Sequence, residues 1–219
     1  MICVVLLTYN RGEKCIKVIQ NMVDQNIDNW NLLIIDDGSE KSHTDKIINH
    51  IIGLDDHRVE YYRNKNNMGF TNTLNVGMEI FLSDNKYTHF TWISDDNFYS
   101  PNYVRNLYNL NVDFSHSAWN NGNHIVNSNY QSYHQLRNNF RGLASFMWSR
   151  LAVEKLGFYN PKYKYTSDLE YLYRTYLSID NIGYSNKSEM NYIIHKDAES
   201  VKFSNIMRQE HNELNKIYI

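Results

Sequence analysis

Short apolar runs alternate with amphipathic stretches through the first hundred residues of the chain. Ile2 to Thr8, Trp30 to Ile35, Val59 to Arg63 and Tyr87 to Ile93 read as strands, the first and last as buried ones. Between them, Lys14 to Gln25 carries Cys15, Ile16, Val18, Ile19, Met22 and Val23 at helical spacing, and Thr44 to Ile52 presents Ile47, Ile48 and Ile51. Phe70 to Leu82 reads as a third helix. This rhythm predicts βαβ units and a mostly parallel sheet. In open sheets of that kind ligands bind outside the carboxyl ends of the strands. Thr8-Tyr9-Asn10-Arg11, Asp36-Asp37-Gly38-Ser39 and Ser94 to Asn97 are therefore expected to face one crevice.

The pattern changes after about residue 100. Phe114 to Trp119 and Ile125 to Val126 flank Asn120-Asn121-Gly122-Asn123, a hairpin with Asn121-Gly122 suited to positive φ. Asn127 to Asn139 is rich in Asn, Gln, Ser and Tyr with little periodicity, and is expected to form a mobile loop beside the site. Leu143 to Trp148 reads as a strand and Leu151 to Leu156 as a short helix stopped by Gly157. Ser167 to Leu177 reads as a helix with Ser167 as N-cap and Glu170 closing a capping box. Tyr192 to His195 is expected to be a late strand, and Ser204 to cap a final helix reaching about Tyr218. With no internal repeat, no Pro/Gly-rich linker (2 Pro, 9 Gly) and no composition shift, 1–219 is expected to be one domain, residues 1–100 forming a nucleotide-binding half and 101–219 an acceptor and catalytic half.

Charge and cysteine content narrow the classes. The 219 residues carry a net charge of −2 and no run of Lys and Arg, which argues against nucleic acid as a partner. Cys3 and Cys15 fall in an expected buried strand and the following helix, where a small apolar residue is the default, and two cysteines make no disulfide framework. No stretch approaches the ~20 apolar residues of a membrane span, and Met1 to Thr8 lacks the basic leader of a signal peptide. These features lead to the expectation of a soluble, cytoplasmic protein, for which Asn186-Lys187-Ser188 is a chance glycosylation pattern. Oligomeric state leaves no trace in the pattern.

The most informative segment is Ser94-Asp95-Asp96-Asn97, two adjacent carboxylates and an amide directly after a buried strand. Mg²⁺ and Mn²⁺ prefer octahedral oxygen shells and take one or two carboxylates from the protein, with phosphate oxygens and water completing the shell. The same residues also suit a strand-to-helix turn with Ser100 as N-cap and Pro101 at the first helical position. The turn after strand one contains no G-x-G-x-x-G, which argues against a dinucleotide site, and no P-loop pattern occurs. What remains is an acidic turn after strand two, another after strand four and a later carboxylate cluster. That set fits a nucleotide recognised by side chains and a diphosphate held by metal.

Thr8-Tyr9-Asn10-Arg11, Ile35-Asp36-Asp37-Gly38-Ser39, Asn67-Met68-Gly69 with Asn75-Val76-Gly77, Ser94-Asp95-Asp96-Asn97, and Leu156-Gly157-Phe158 followed by Ser167-Asp168-Leu169-Glu170 resemble, in order and spacing, the motifs of family 2 glycosyltransferases with the GT-A fold. The resemblance reaches to about Ser200, and the Asp-Asp-Asn turn with its following Tyr and Pro is most similar to the spore-coat polysaccharide branch. It implies an α/β fold of GT-A type, Rossmann-like and nucleotide-binding, with a mixed, mostly parallel central sheet flanked by helices. It also implies an inverting hexosyltransferase that uses Mn²⁺ or Mg²⁺, a nucleotide-sugar donor, UDP-linked above others, and a hydroxyl acceptor such as a glycan.

Residue roles follow from the same resemblance. Asp37 matches the carboxylate that accepts a hydrogen bond from uracil N3–H, with Asp36 and Thr8 supporting the nucleoside. Tyr9 is placed to stack on the base or pack against the turn, and Arg11 to reach the nucleotide or remain solvated. The family's metal motif is Asp-x-Asp, so here Asp96 is the metal ligand, Asp95 bonds the ribose or a metal-bound water, and Ser94 departs from the pattern. His195 matches a late histidine that contacts metal or diphosphate in some members, although a lone His after an apolar strand is more often structural. Asp168 matches the catalytic base, with Glu170 in reserve; a first-turn acid favoured by the helix dipole is the alternative. Two rival functions stand beside this reading. A sugar-nucleotidyltransferase requires a Gly-rich basic loop that Arg11-Gly12-Glu13-Lys14 matches poorly, and a catalytically silent sugar-nucleotide or glycan-binding module gains weight from Ser94.

Overall fold

The computed structural model describes residues 1–193 and 202–218. Its first four strands, β1 (Ile2–Thr8), β2 (Trp30–Asp36), β3 (Val59–Arg63) and β4 (His89–Ser94), are parallel and lie in the order β3-β2-β1-β4. All of β2 and all of β1 except Leu7 are buried, because helices cover both faces of this part of the sheet. Strand alternation sorts the side chains between two cores. Ile2, Val4 and Leu6 pack with α1 (Gly12–Val23) and α2 (Lys41–Leu54), whereas Cys3 and Val5 pack with α3 (Phe70–Ser83). Helix α1 buries Cys15, Val18, Ile19 and Met22, the i, i+3, i+4, i+7 stripe read from the sequence. Both cysteines are buried free thiols.

Strand β1 sits between β2 and β4, with Thr8 in register with Asp36 and Leu7 with Ser94. The chain adds β2 and β3 on one side of β1 and then crosses to add β4 on the other. This reversal opens a crevice at the carboxyl ends of β1 and β4.

Beyond β4 the sheet becomes mixed. Strand β8 (Phe146–Ser149) runs antiparallel to β4, β6 (Phe114–Asn120) antiparallel to β8, β9 (Ile182–Asn191) parallel to β6, and the short β5 (Phe98–Tyr99) antiparallel to β9. The expected hairpin is present: β7 (Ile125–Val126) pairs with the end of β6, and Gly122 takes φ +88° in the turn. Helices α4 (Tyr103–Tyr108), α5 (Tyr133–Asn139), α6 (Arg150–Leu156), α7 (Ser167–Ser178) and α8 (Ser204–Ile217) complete the described structure. Among the described residues no helix is long and apolar enough to cross a membrane.

Several expectations need correction. The segment 127–139 is not wholly irregular, since its last seven residues form α5 with Ser132 as N-cap, its Oγ accepting from the Gln135 amide. Only Leu136 of that helix is buried, so no periodicity marks it. Helix α4 starts at Tyr103 with Asn102 as N-cap, because Ser100 spends its hydroxyl on the Glu189 carboxylate while accepting from the Asn102 amide. Thr166, not Ser167, is the N-cap of α7, and no capping box forms: Ser167 Oγ accepts from Thr71 Oγ1 at 2.9 Å and Glu170 pairs with Arg174. Helix α8 likewise begins at Ser204 with Phe203 as N-cap. The late strand ends at Asn191, before the expected Tyr192–His195; residues 194–201, His195 included, lie outside the described residues.

Candidate active site

The β1–α1 turn supplies the first wall of the crevice. Thr8 is buried and its Oγ1 donates to Asp95 Oδ2 at 2.8 Å. Asn10 takes φ +53°, which lets its backbone N–H reach Ser39 Oγ (2.8 Å) while its Oδ1 accepts the Glu40 amide (2.7 Å). Those two bonds stitch the turn after β1 to the turn after β2. Tyr9 is left half-exposed beside this turn.

The two carboxylates after β2 have different tasks. Asp36 is fully buried and accepts from the Ser39 amide (2.8 Å), Thr44 Oγ1 (2.9 Å) and Tyr61 OH (2.5 Å). It holds the turn and the start of α2, and burial together with this bond pushes the Tyr61 phenol well up. Asp37 accepts from Asn64 Nδ2 (3.0 Å), the Met68 amide (2.8 Å) and the Gly69 amide (2.9 Å), which pins the segment between β3 and α3. An ionised carboxylate has about four acceptor positions, so roughly one remains for a ligand. Gly38 sits between them at φ +76°, where an added Cβ meets the Asn66 carbonyl carbon at 2.8 Å and the Asn67 nitrogen at 2.9 Å. Gly38→Ala is expected to lower stability by about 1–3 kcal/mol, through left-handed strain and a clash with backbone that has no rotamer to relieve it. Chemical denaturation of both proteins measures it.

The turn after β4 is the acidic centre. Ser94 Oγ donates to Asp96 Oδ1 at 2.5 Å, and the Arg11 guanidinium lies 3.1 Å from Asp95 Oδ1 and 2.7 Å from Asp96 Oδ2. Burial pushes the Asp95 carboxyl up to about 6, against the opposing pull of Arg11 and Thr8 and with a further push from Asp96. Asp96 is the more accessible of the two. Among the described residues no three His, Cys, Asp or Glu side chains cluster for a metal ion. Two carboxylates nonetheless fit Mg²⁺ or Mn²⁺, which take only one or two from the protein when phosphate oxygens complete the shell.

Asp168 stands exposed in the first turn of α7, its Oδ1 accepting the Leu169 amide at 2.8 Å. It borders a narrow cleft of about 10 Å³, room for roughly one water, lined by Trp92, Phe140, Phe146, Trp148 and Tyr159. Crowding by this apolar wall raises the Asp168 pKa, the Leu169 amide and its own amide lower it, and Glu210 raises it further. Trp92 precedes Ser94 on β4, so the cleft connects Asp168 to the strand that delivers Asp95 and Asp96. Glu170 is not comparable: it is buried, with Arg174 bound at 2.8 and 2.9 Å and Tyr218 OH at 2.5 Å.

The structure thus links Thr8, Arg11, Asp95 and Asp96 by direct bonds, with Asp37 on the neighbouring turn; Asp168 stands apart from them, on the cleft that Trp92 of β4 also lines. Sequence reasoning missed the aromatic wall, Asn10 as the stitch between turns, and Arg63, which ends β3 and donates to the Ser39 carbonyl at 2.7 Å. A charged residue at the carboxyl end of a parallel strand was the available signal for Arg63.

Comparisons with known proteins bear on the fold and the family. Two relatives match over about half of the chain: an uncharacterized glycosyltransferase of Haemophilus influenzae, 28% identical over 109 residues, and the putative colanic acid biosynthesis glycosyl transferase WcaA of Escherichia coli, 29% identical over 102 residues. Those matches take up 49% and 47% of this chain but only 31% and 34% of the relatives, so the match spans about a third of their length. Among solved structures, S. aureus TarS in complex with UDP-GlcNAc superposes with a TM-score of 0.78 at 14% identity, over 99% of this chain and 65% of that one. The mannosyltransferase PcManGT of Pyrobaculum calidifontis, in complex with GDP-Man and Mn²⁺, gives 0.68 at 11% identity over 96% and 61%. These likenesses show the GT-A fold. The model of the family described as "Glycosyl transferase family 2" matches residues 3–143, well over half of the chain, and the chain belongs to that family.

Proposed function

We propose that the chain is the nucleotide-sugar-binding and catalytic part of an inverting, metal-dependent glycosyltransferase that moves a sugar from a UDP-linked donor to a hydroxyl acceptor on a glycan. The observation that carries this reading is the cluster at the β1/β4 switch point, where Thr8 and Arg11 meet Asp95 and Asp96. Asp37 offers its remaining acceptor position to the N3–H of the base, and Tyr9 offers an exposed ring to the base face. Asp96 holds the metal, Asp95 supports it through water or bonds the ribose, and the resemblance adds His195 to that set. A divalent cation bound there supplies positive charge to the leaving diphosphate. Asp168 receives the proton of the acceptor hydroxyl as that oxygen attacks the anomeric carbon, and a single base on the face opposite the leaving group gives inversion.

The structures of TarS with UDP-GlcNAc and of glucosyl-3-phosphoglycerate synthase from Mycobacterium tuberculosis with Mn²⁺ and UDP support a uridine donor. A thermal-shift panel of UDP, GDP, dTDP and CMP with and without Mn²⁺ tests it, because a ligand that binds only the folded state raises its stability. UDP with Mn²⁺ is expected to give the largest shift, and a preference for GDP overturns the uridine assignment. A chain that binds UDP and Mn²⁺ yet neither transfers nor hydrolyses a panel of UDP-sugars is a silent binding module instead.

Asp37→Ala has two expected effects. It removes the acceptor for the Met68 and Gly69 amides, costing about 1–3 kcal/mol of stability, and it weakens uridine as well as UDP. Calorimetry with both ligands, run beside a melting curve, separates the two. Intact uridine binding in a destabilised variant leaves Asp37 only its structural task.

A further inference from the structure

Arg11 occupies the place where the proposed metal should bind. The residue directly precedes α1, and one nitrogen of its guanidinium bridges the two neighbouring carboxylates, 3.1 Å from Asp95 Oδ1 and 2.7 Å from Asp96 Oδ2. The other oxygen of each carboxylate is already engaged, by Thr8 on Asp95 and by Ser94 on Asp96. Each carboxylate therefore turns its second oxygen toward the Arg11 side chain.

A guanidinium and a divalent ion cannot share that position. Mg²⁺ and Mn²⁺ sit close to 2.1 Å from their oxygen ligands, inside the volume that the Arg11 nitrogen fills, and two cations at such separation repel strongly. Nor can Arg11 leave by losing its proton, since the guanidinium stays charged throughout the accessible pH range. It must swing away as a cation and find another anion. The side chain is 28% exposed, whereas its partners are 5% and 16%, so the arginine is the member of the trio with a path outward. Phosphate oxygens match its forked donors.

We propose that Arg11 is a resident counter-ion that closes the Asp95–Asp96 pair to divalent metal until the diphosphate of the donor draws the guanidinium onto itself. Arg11 is then a positioning residue, not a catalytic one. Metal and diphosphate bind with positive coupling, because each favours the arrangement in which Arg11 has left the carboxylates, and such couplings typically amount to 5–150-fold. Uridine, which lacks phosphate, gives no such coupling. This inference rests on the proposed metal role of Asp96.

Mn²⁺ affinity, read by electron paramagnetic resonance of the free ion, tests the idea without any transfer reaction. In the wild type, Mn²⁺ alone is expected to bind weakly, UDP to tighten it, and uridine to leave it unchanged. R11Q should bind Mn²⁺ alone at least about tenfold tighter and lose most of the UDP enhancement. R11K, which keeps the charge on a shorter side chain without the forked donors, should fall between the two, and it carries the test if R11Q fails to fold. An R11Q or R11K protein that binds Mn²⁺ no tighter than the wild type, with that binding still abolished by D96A, overturns the Arg11 device and leaves the metal site standing. Absence of Mn²⁺ binding in every variant, even with UDP, overturns the metal reading and this inference with it.

Discussion

Asp168→Asn is expected to retain UDP and Mn²⁺ binding while transfer falls by about 10²–10⁴-fold, the usual worth of a general base. The substitution is close to isosteric, and the amide oxygen can still accept the Leu169 N–H that Asp168 now accepts at 2.8 Å. The site is exposed at the start of α7, so no buried charge is stranded and the fold should persist. Glu170 cannot stand in for the lost carboxylate, because Arg174 and Tyr218 hold it in the protein interior. The pH profile supplies an independent signature. The apolar cleft raises the Asp168 pKa, and a base must be deprotonated to work. Wild-type transfer should therefore rise with pH along an acid limb displaced upward from that of an ordinary aspartate, and in Asp168→Asn that limb should vanish. Near-normal transfer by the variant moves the chemistry to another group or to the substrate itself, and loss of UDP binding makes Asp168 a binding residue.

The first half of the fold was legible because its signals are local. Strands β1 and β3 have the bounds that their sequences suggest, and α1 buries four of the six apolar residues its periodicity selects, with Ile16 and Val23 at the margin. Strand β9 gave no such signal: Ile182–Asn191 is largely polar and mostly accessible, and its pairing with β6 slips at Ser117/Ala118 and Ala118/Asn120. Its place is dictated by partners far away in sequence, β6 and β5, which no window of ten residues contains. Helix α5 was legible in principle, since Ser132 and Gln135 have the spacing of a capping box, but its single buried residue hid it.

The candidate site divides in the same way. The residue types were visible, but their mutual bonds were not. Thr8 and Arg11 reach Asp95 and Asp96 across separations of 84 to 87 residues, a fact of sheet topology and not of composition. Asp36 looked like a nucleoside ligand, yet Ser39, Thr44 and Tyr61 surround it and make it the pin of its turn. Ser94 stands where the family pattern has a carboxylate. Its hydroxyl bonds Asp96, so this departure removes a charge but fixes the orientation of the carboxylate proposed as metal ligand.

Asp96→Ala tests that remaining ligand. The change removes the more accessible carboxylate of the pair, and among the described residues no third His, Cys, Asp or Glu joins the cluster to replace it. Asp95 alone is the poorer ligand, since it is the more buried of the two and Thr8 holds one of its oxygens. Removing an outer-shell partner of a metal ligand already costs about 10–100-fold in affinity, so loss of the ligand itself should weaken Mn²⁺-dependent UDP binding by at least about 100-fold. Uridine binding, which draws on the turn after β2, should stay as it is in the wild type. Of the two groups that bond Asp96 here, Arg11 keeps Asp95 as a partner and Ser94 has only a part-buried hydroxyl to resolvate; a melting curve checks that the fold survives. Calorimetric titration of UDP with and without Mn²⁺, with uridine as the reference ligand, measures each of these. If a folded Asp96→Ala protein binds UDP with the same dependence on Mn²⁺ as the wild type, the metal lies elsewhere and the acidic turn after β4 is a structural clasp for Arg11.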